Sequence, residues 1–132
     1  MSSTILIAST DADLAAIFTA ALKHAGYVTR RLADPDRVVE CALGLPDGGP
    51  PCTLVITDFP VPDSSGRTVT ERLRRDPRTS ALPILNATTH AFPTELARAH
   101  SAGVSATVVM PAPLETVLQE VERLLRGGGE GR

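Results

Sequence analysis

The sequence predicts a doubly wound α/β domain, one parallel sheet of five strands with helices on both faces. Three observations carry this. Short apolar runs of five or six residues alternate five times with segments whose apolar residues recur at helical spacing. The runs read as apolar throughout rather than alternating, which is the pattern of strands covered on both faces. The length, 132 residues with 42% hydrophobic and 21% charged, suits one compact domain with a single core.

The first strand is the run at 4–8 (Thr-Ile-Leu-Ile-Ala), and Leu14, Ile17, Phe18, Ala21 and Leu22 then mark a helix. Thr10 is its expected cap, with Asp13 at the third helical position, and Gly26 stands where a left-handed residue ends it. A second strand is expected at 27–31. Asp34-Pro35 supplies a cap and a proline for a short helix through Val38, Val39, Ala42 and Leu43. Three prolines and two glycines make 45–52 a connector. A strand at 53–57, a helix at 68–75 and a strand at 82–87 follow. Pro93 opens a helix that Gly103 closes, a fifth strand takes 105–109, and Leu114, Val117, Leu118, Val121, Leu124 and Leu125 mark a closing amphipathic helix. The domain is expected to span 1–126, with a flexible tail at 127–132 that has no apolar anchor.

Composition removes several classes of function. Cys41 and Cys52 lack a CxxC spacing and the three histidines are scattered, so a zinc finger is excluded and the thiols are expected to be reduced. Thirteen basic against fifteen acidic residues (formal charge -2) and four dispersed aromatics argue against nucleic-acid binding. No run approaches the roughly eighteen apolar residues that span a bilayer, and no basic residue precedes Lys23, so a cytoplasmic protein without a membrane partner is expected.

In doubly wound sheets the ligand crevice lies beyond the carboxyl ends of the strands, which singles out Ser9 and Thr10, Asp58, Thr88 and Thr89, and Met110. Asp58 ends an apolar strand and heads the segment DFPVPDSSG, in which the prolines and Gly66 shape a tight loop. A carboxylate so placed can act as a nucleophile toward a phosphoryl donor. It can equally cap the loop that follows.

The chain resembles the receiver domains of two-component response regulators over 4–126. The resemblance rests on Asp58 with Pro62 and Gly66 at the family's spacing, the passage RRDPRT to LPI (residues 74–84), Gly103, and Met110-Pro111 where the family has Lys-Pro. It implies a flavodoxin-like sheet in the order 2-1-3-4-5, Asp58 as the phosphoacceptor, Thr88 as the hydroxyl that contacts the phosphoryl group, and a cis Met110–Pro111 bond. The family's acidic pair, which holds magnesium, is replaced by Ser9 and Thr10. Its lysine is Met110, and its aromatic switch position on the fifth strand is Thr107.

These departures leave the pocket with a charge of about -1 and no cation, where the family's three carboxylates and one ammonium sum to about -2, and a lone carboxylate is a poor seat for a magnesium ion. Loss of one charge-assisted contact, as at Met110, costs on the order of 3 kcal/mol at the transition state. Asp11 is a weak substitute ligand, as suited to capping the first helix as to holding metal. No cofactor is expected, and magnesium only weakly.

The expectation is therefore a degenerate, or pseudo, receiver: not an enzyme, with impaired magnesium-dependent phosphorylation, acting through protein contacts. The resemblance implies a histidine kinase or downstream regulator as partner. It also implies docking, or homodimer formation, through the face of the fourth helix, fifth strand and fifth helix, with Phe92, Arg98, His100 and Thr107. One alternative is a working Asp58 phosphoacceptor served by a cognate kinase. Another is a flavodoxin-like cofactor binder or small hydrolase, which the lack of a glycine-rich phosphate loop, GxGxxG, GxSxG or a flavin-sandwiching aromatic pair opposes. Isolated His24, His90 and His100 read as surface residues, Asp63 as a loop former, and Arg72, Arg74, Arg75 and Arg78 as a solvated helix face.

Overall fold

The computed structural model describes residues 3–9, 11–32, 34–45, 48–58, 64–89 and 91–127. In chain order they form β1 (Thr4–Ala8), α1 (Ala12–His24), β2 (Val28–Arg31), a 3-10 turn (Pro35–Arg37) that runs into α2 (Val38–Ala42), β3 (Leu54–Thr57), α3 (Val69–Arg75), β4 (Ile84–Thr88), α4 (Pro93–Ala102), β5 (Ala106–Val109) and α5 (Leu114–Leu125). The strands pair in parallel in the order β2-β1-β3-β4-β5, with Ile5 opposite Thr29 and Leu54, and Leu85 opposite Ile56 and Ala106. This is the flavodoxin-like order the resemblance implied.

Alternate strand residues feed two cores. Ile5, Ile7, Leu54, Ile56, Leu85 and Ala87 are buried in a cluster with Ala15, Phe18 and Leu22 of α1 and Val117, Val121 and Leu124 of α5. Leu6, Ala8, Val55 and Ile84 are buried on the opposite face with Val38 and Ala42 of α2, Val69 and Leu73 of α3, and Ala99 of α4. Because each central strand is covered above and below, its sequence reads as unbroken apolar.

The edge strands depart from that expectation. In β2 (Val-Thr-Arg-Arg) no residue is buried, and in β5 only Val108 is. Each borders a single neighbour, so its outer side chains reach solvent and tolerate charge. Arg30 uses the position to donate to the Cys41 carbonyl (3.4 Å) above it.

Local rules explain most element ends. After α1, Gly26 is left-handed (φ +98°), Tyr27 N–H donates to Leu22 C=O and Gly26 N–H to Lys23 C=O, the paired bonds of a Schellman turn. Asp34 accepts from Asp36 N–H (3.0 Å) at the head of the 3-10 turn. The first turn of α1 is a correction: Asp11, not Thr10, is its cap. The extended Asp11 backbone lets its carboxylate accept the Leu14 N–H at 3.0 Å. Thr10 itself lies outside the described residues, as do Pro62, Asp63, His90 and the tail from 128.

The arginine cluster is a second correction. Arg74 is not part of a solvated face. Its guanidinium donates to the carbonyls of Gly103 (2.8 Å), Ser80 (2.9 Å) and Leu82 (2.6 Å) and to Ser105 Oγ (3.3 Å), tying α3 to both β4 and the α4–β5 turn. Burial pulls its pKa below the usual arginine range. Arg72 is likewise half-buried and donates to the Asp36 carbonyl (2.7 Å).

Candidate functional site

The carboxyl ends of β1, β3, β4 and β5 meet along one rim of the sheet. Asp58 follows β3 directly, half-buried, and its backbone N–H donates to the Ala8 carbonyl at 3.3 Å, which brings the ends of β1 and β3 together. Thr88 is the last residue of β4 and is buried. The Met110 N–H donates to the Thr88 carbonyl at 2.7 Å, so the end of β5 closes onto β4. Ser9, Asp58, Thr88 and Met110 therefore share one end of the sheet, as the sequence predicts for a ligand crevice. Thr89 is exposed beside them.

Each neighbour of Asp58 has a definite local state. The Ser9 hydroxyl accepts the Asp11 N–H (3.1 Å) and turns back toward the Asp11 carbonyl (3.4 Å), which closes a tight turn at the head of α1. The Asp11 carboxylate is engaged by Leu14 N–H. Met110 is 9% exposed and belongs to the apolar cluster beneath α1 and α5, and its bond to Pro111 is cis, as expected. Thr107 is exposed on β5, its hydroxyl accepting from Asn86 Nδ2 at 3.5 Å.

Two features escape the sequence reading. Arg31, at the end of edge strand β2, donates through Nη2 to the Ser9 carbonyl at 3.3 Å and so places a guanidinium on the β1 side of the rim. Two arginines closing a strand were visible. Their neighbour was not, because Ser9 lies 22 positions away. The second is a polar layer: Thr57, Asn86 and Thr88 are all buried at the carboxyl ends of β3 and β4. A lone asparagine in an apolar run was the signal for it.

A divalent cation needs several oxygen donors with negative charge among them. Among the described residues no three of His, Cys, Asp and Glu come together as a group able to hold a metal ion. With Asp11 committed to a helix cap and Arg31 on the neighbouring carbonyl, the described residues do not fit a magnesium ion well. Among the described residues at this end of the sheet, Ser9, Thr88 and Thr89 carry hydroxyls, which can accept or donate hydrogen bonds to a phosphoryl oxygen but bring no charge.

Solved structures with the same architecture cover nearly the whole chain. A putative response regulator from Chloroflexus aurantiacus superposes with a TM-score of 0.80 at 25% identity, over 96% of this chain and 99% of that one. This is a receiver domain in fold. A response regulator from Desulfuromonas acetoxidans (TM-score 0.79, 21% identity, 94% of this chain and 97% of that one) and the chemotaxis response regulator CheY4 of Vibrio cholerae (TM-score 0.76, 21% identity, 94% and 99%) have the same fold. By sequence, the chain is 30% identical over 123 residues to the DNA-binding dual master transcriptional regulator RpaA of Synechocystis. The match takes in 92% of this chain and 48% of that protein, so the chain spans about half the length of its curated relative. No family model matches. No helix among the described residues is long and apolar enough to cross a membrane.

Proposed function

We propose that this receiver domain is a degenerate one: it keeps the scaffold, Asp58 and Thr88 but is impaired in magnesium-dependent phosphorylation and signals through protein contacts. The observation that carries the reading is the state of the groups around Asp58. Ser9 and Asp11 are engaged in the turn and cap that open α1, and Met110 is packed in the core. A phosphoryl group arriving at Asp58 would bring negative charge, with Arg31 on the Ser9 carbonyl as a cation on that rim. Acyl-phosphate formation depends on neutralising that charge as the donor closes in line. The domain binds a partner rather than turning over a substrate.

The partner is a histidine kinase or a downstream regulator. The face it would use is made by α4, β5 and α5, where Phe92 (72% exposed), Val109 and Leu114 are exposed apolar residues next to exposed Arg98, His100 and Thr107. The same face is the candidate for a homodimer. Nucleic-acid contact, which the name of the Synechocystis relative includes, is not assigned to this domain, whose formal charge is -2.

The test is incubation of the protein with acetyl phosphate and magnesium, followed by intact mass. The expected result is little or no phosphoryl adduct over a period in which a magnesium-competent receiver is modified. Rapid stoichiometric addition, abolished in Asp58→Asn, would refute the reading. A second reading is favoured by the retention of Asp58 with a buried threonine at the end of β4. There Asp58 is a phosphoacceptor that a cognate kinase serves by supplying missing groups. It predicts transfer from a phosphorylated histidine kinase and none from small donors.

A further inference from the structure

The described residues around Asp58 do not fit a magnesium ion well, yet a cation reaches that end of the sheet from edge strand β2. Resting on the reading of Asp58 as an acceptor impaired in its use of magnesium, we propose that Arg31 supplies the positive charge that receives a phosphoryl group at Asp58 without a metal ion.

Strand register puts the two side chains on one face. Arg31 lies opposite Ile7, Ile7 opposite Ile56, and Ala8 opposite Thr57. Partners in a parallel ladder share a face and side chains alternate along each strand, so Ser9 and Asp58, two positions on, return to the face of Ile7, Ile56 and Arg31. The Asp58 N–H bond to the Ala8 carbonyl (3.3 Å) carries the ladder that far.

The Arg31 side chain then leans toward Asp58. Its Nη2 donates to the Ser9 carbonyl at 3.3 Å, which holds the guanidinium over the end of β1, the strand between β2 and β3. Neighbouring strands are about 4.8 Å apart, so the guanidinium stands about one strand from Asp58, where the oxygens of a phosphoryl group on that carboxylate would come. Among the described residues Arg31 has no other hydrogen bond and no carboxylate partner, so Nε and Nη1 are left to donate. A guanidinium fork offers a phosphoryl group parallel, charge-assisted bonds that the hydroxyls of Ser9 and Thr88 cannot match. Arg30 serves the opposite face, where it donates to the Cys41 carbonyl at 3.4 Å.

With acetyl phosphate as donor the step is complete in itself. A carboxylate oxygen of Asp58 attacks phosphorus, and the new O–P bond forms as the bond from phosphorus to the acetyl oxygen breaks. Acetate leaves with the electron pair, and no proton moves. The charge on the equatorial oxygens is what a cation must offset, and Arg31 is placed to offset part of it.

The experiment is a long incubation of the whole chain with acetyl phosphate, in magnesium chloride and separately in excess EDTA, with the adduct followed by intact mass. A slow adduct is expected at the same rate in both media and absent in Asp58→Asn. In EDTA the rate is expected to fall roughly tenfold in Arg31→Ala, to be partly kept in Arg31→Lys, which retains the charge without the fork, and to be unchanged in Arg30→Ala. No adduct in EDTA, an unchanged rate in Arg31→Ala, or an equal loss in Arg30→Ala would overturn the proposal. Acceleration by magnesium would instead overturn the reading of an impaired receiver, while the variants compared in EDTA still decide the role of Arg31.

Discussion

At Gly103 the backbone takes a left-handed conformation (φ +112°) beside the aliphatic part of Arg74, and an added Cβ would lie 2.9 Å from Arg74 Cγ and 3.1 Å from Nε. Both the dihedral and the contact act against a side chain there. Gly103→Ala is predicted to lower unfolding free energy by about 2 kcal/mol, and Arg74→Ala by about 3 kcal/mol because it leaves three carbonyls without their charged donor. Urea denaturation of the two variants and their combination checks this. Since they share one contact, the double variant is expected to lose less than the sum.

The cysteines give a second prediction at the same scale. Burial, then the neighbouring Cys41, pushes the Cys52 thiol from the usual 9.0 up to about 12. A raised pKa on an acid means that the folded state holds its proton more tightly than the unfolded state. Its contribution is thus fully present below about pH 9 and fades as pH climbs toward 12. In native protein at pH 8 a thiol reagent is expected to modify Cys41, which is half-buried, and to leave Cys52 unmodified until urea is added. Rapid labelling of both thiols in the native state would contradict that.

At the scale of elements, the helix ends state which polar side chains are free for chemistry. Asp11 acts at the start of α1, where its carboxylate accepts an orphan N–H and faces the positive end of the helix dipole. Asp11→Ala is predicted to cost about 1 kcal/mol of stability and to leave magnesium uptake unchanged. Saturable magnesium uptake by the unmodified protein that Asp11→Ala abolishes with stability intact would instead make Asp11 a ligand. In α3, Thr68 and Glu71 form a complete capping box, a signature present in the sequence as Thr-x-x-Glu. The expected helix began at Thr68 because the period alone does not separate the cap from the first turn. The central strands were legible, since two-sided burial imposes an apolar run on them. The edge strands β2 and β5 were also placed, at 27–31 and 105–109, but their exposure was not foreseen, and a residue such as Arg31 has no local signal for a partner 22 positions away. Arg74 was misplaced for the same reason, as Gly103 and Ser105 stand 29 and 31 positions beyond it.

At the scale of the whole molecule, the order β2-β1-β3-β4-β5 sets the ends of β1 and β4 on either side of β3, which is why Ser9, Asp58 and Thr88 converge from three distant stretches of sequence. The positions of the candidate site were therefore readable once the sheet was. Their bonding was not, since the turn between Ser9 and Asp11 and the burial of Met110 emerge only when α1 and α5 close on the sheet. Two apolar cores hold this frame, and neither depends on the charge state of Asp58. The receiver scaffold is thus predicted to stay folded and equally stable in Asp58→Asn, within about 0.5 kcal/mol by urea denaturation.

The proposed loss of magnesium-dependent phosphorylation rests on weak binding of a divalent cation at the rim beside Asp58. Calorimetric titration of the unmodified protein with magnesium chloride measures this directly. No saturable heat is predicted through the millimolar range, whereas Ser9→Asp combined with Thr10→Asp is predicted to bind the ion. Tight, stoichiometric uptake by the unmodified protein, lost in Asp58→Asn, would contradict the account and make this an ordinary magnesium-dependent receiver.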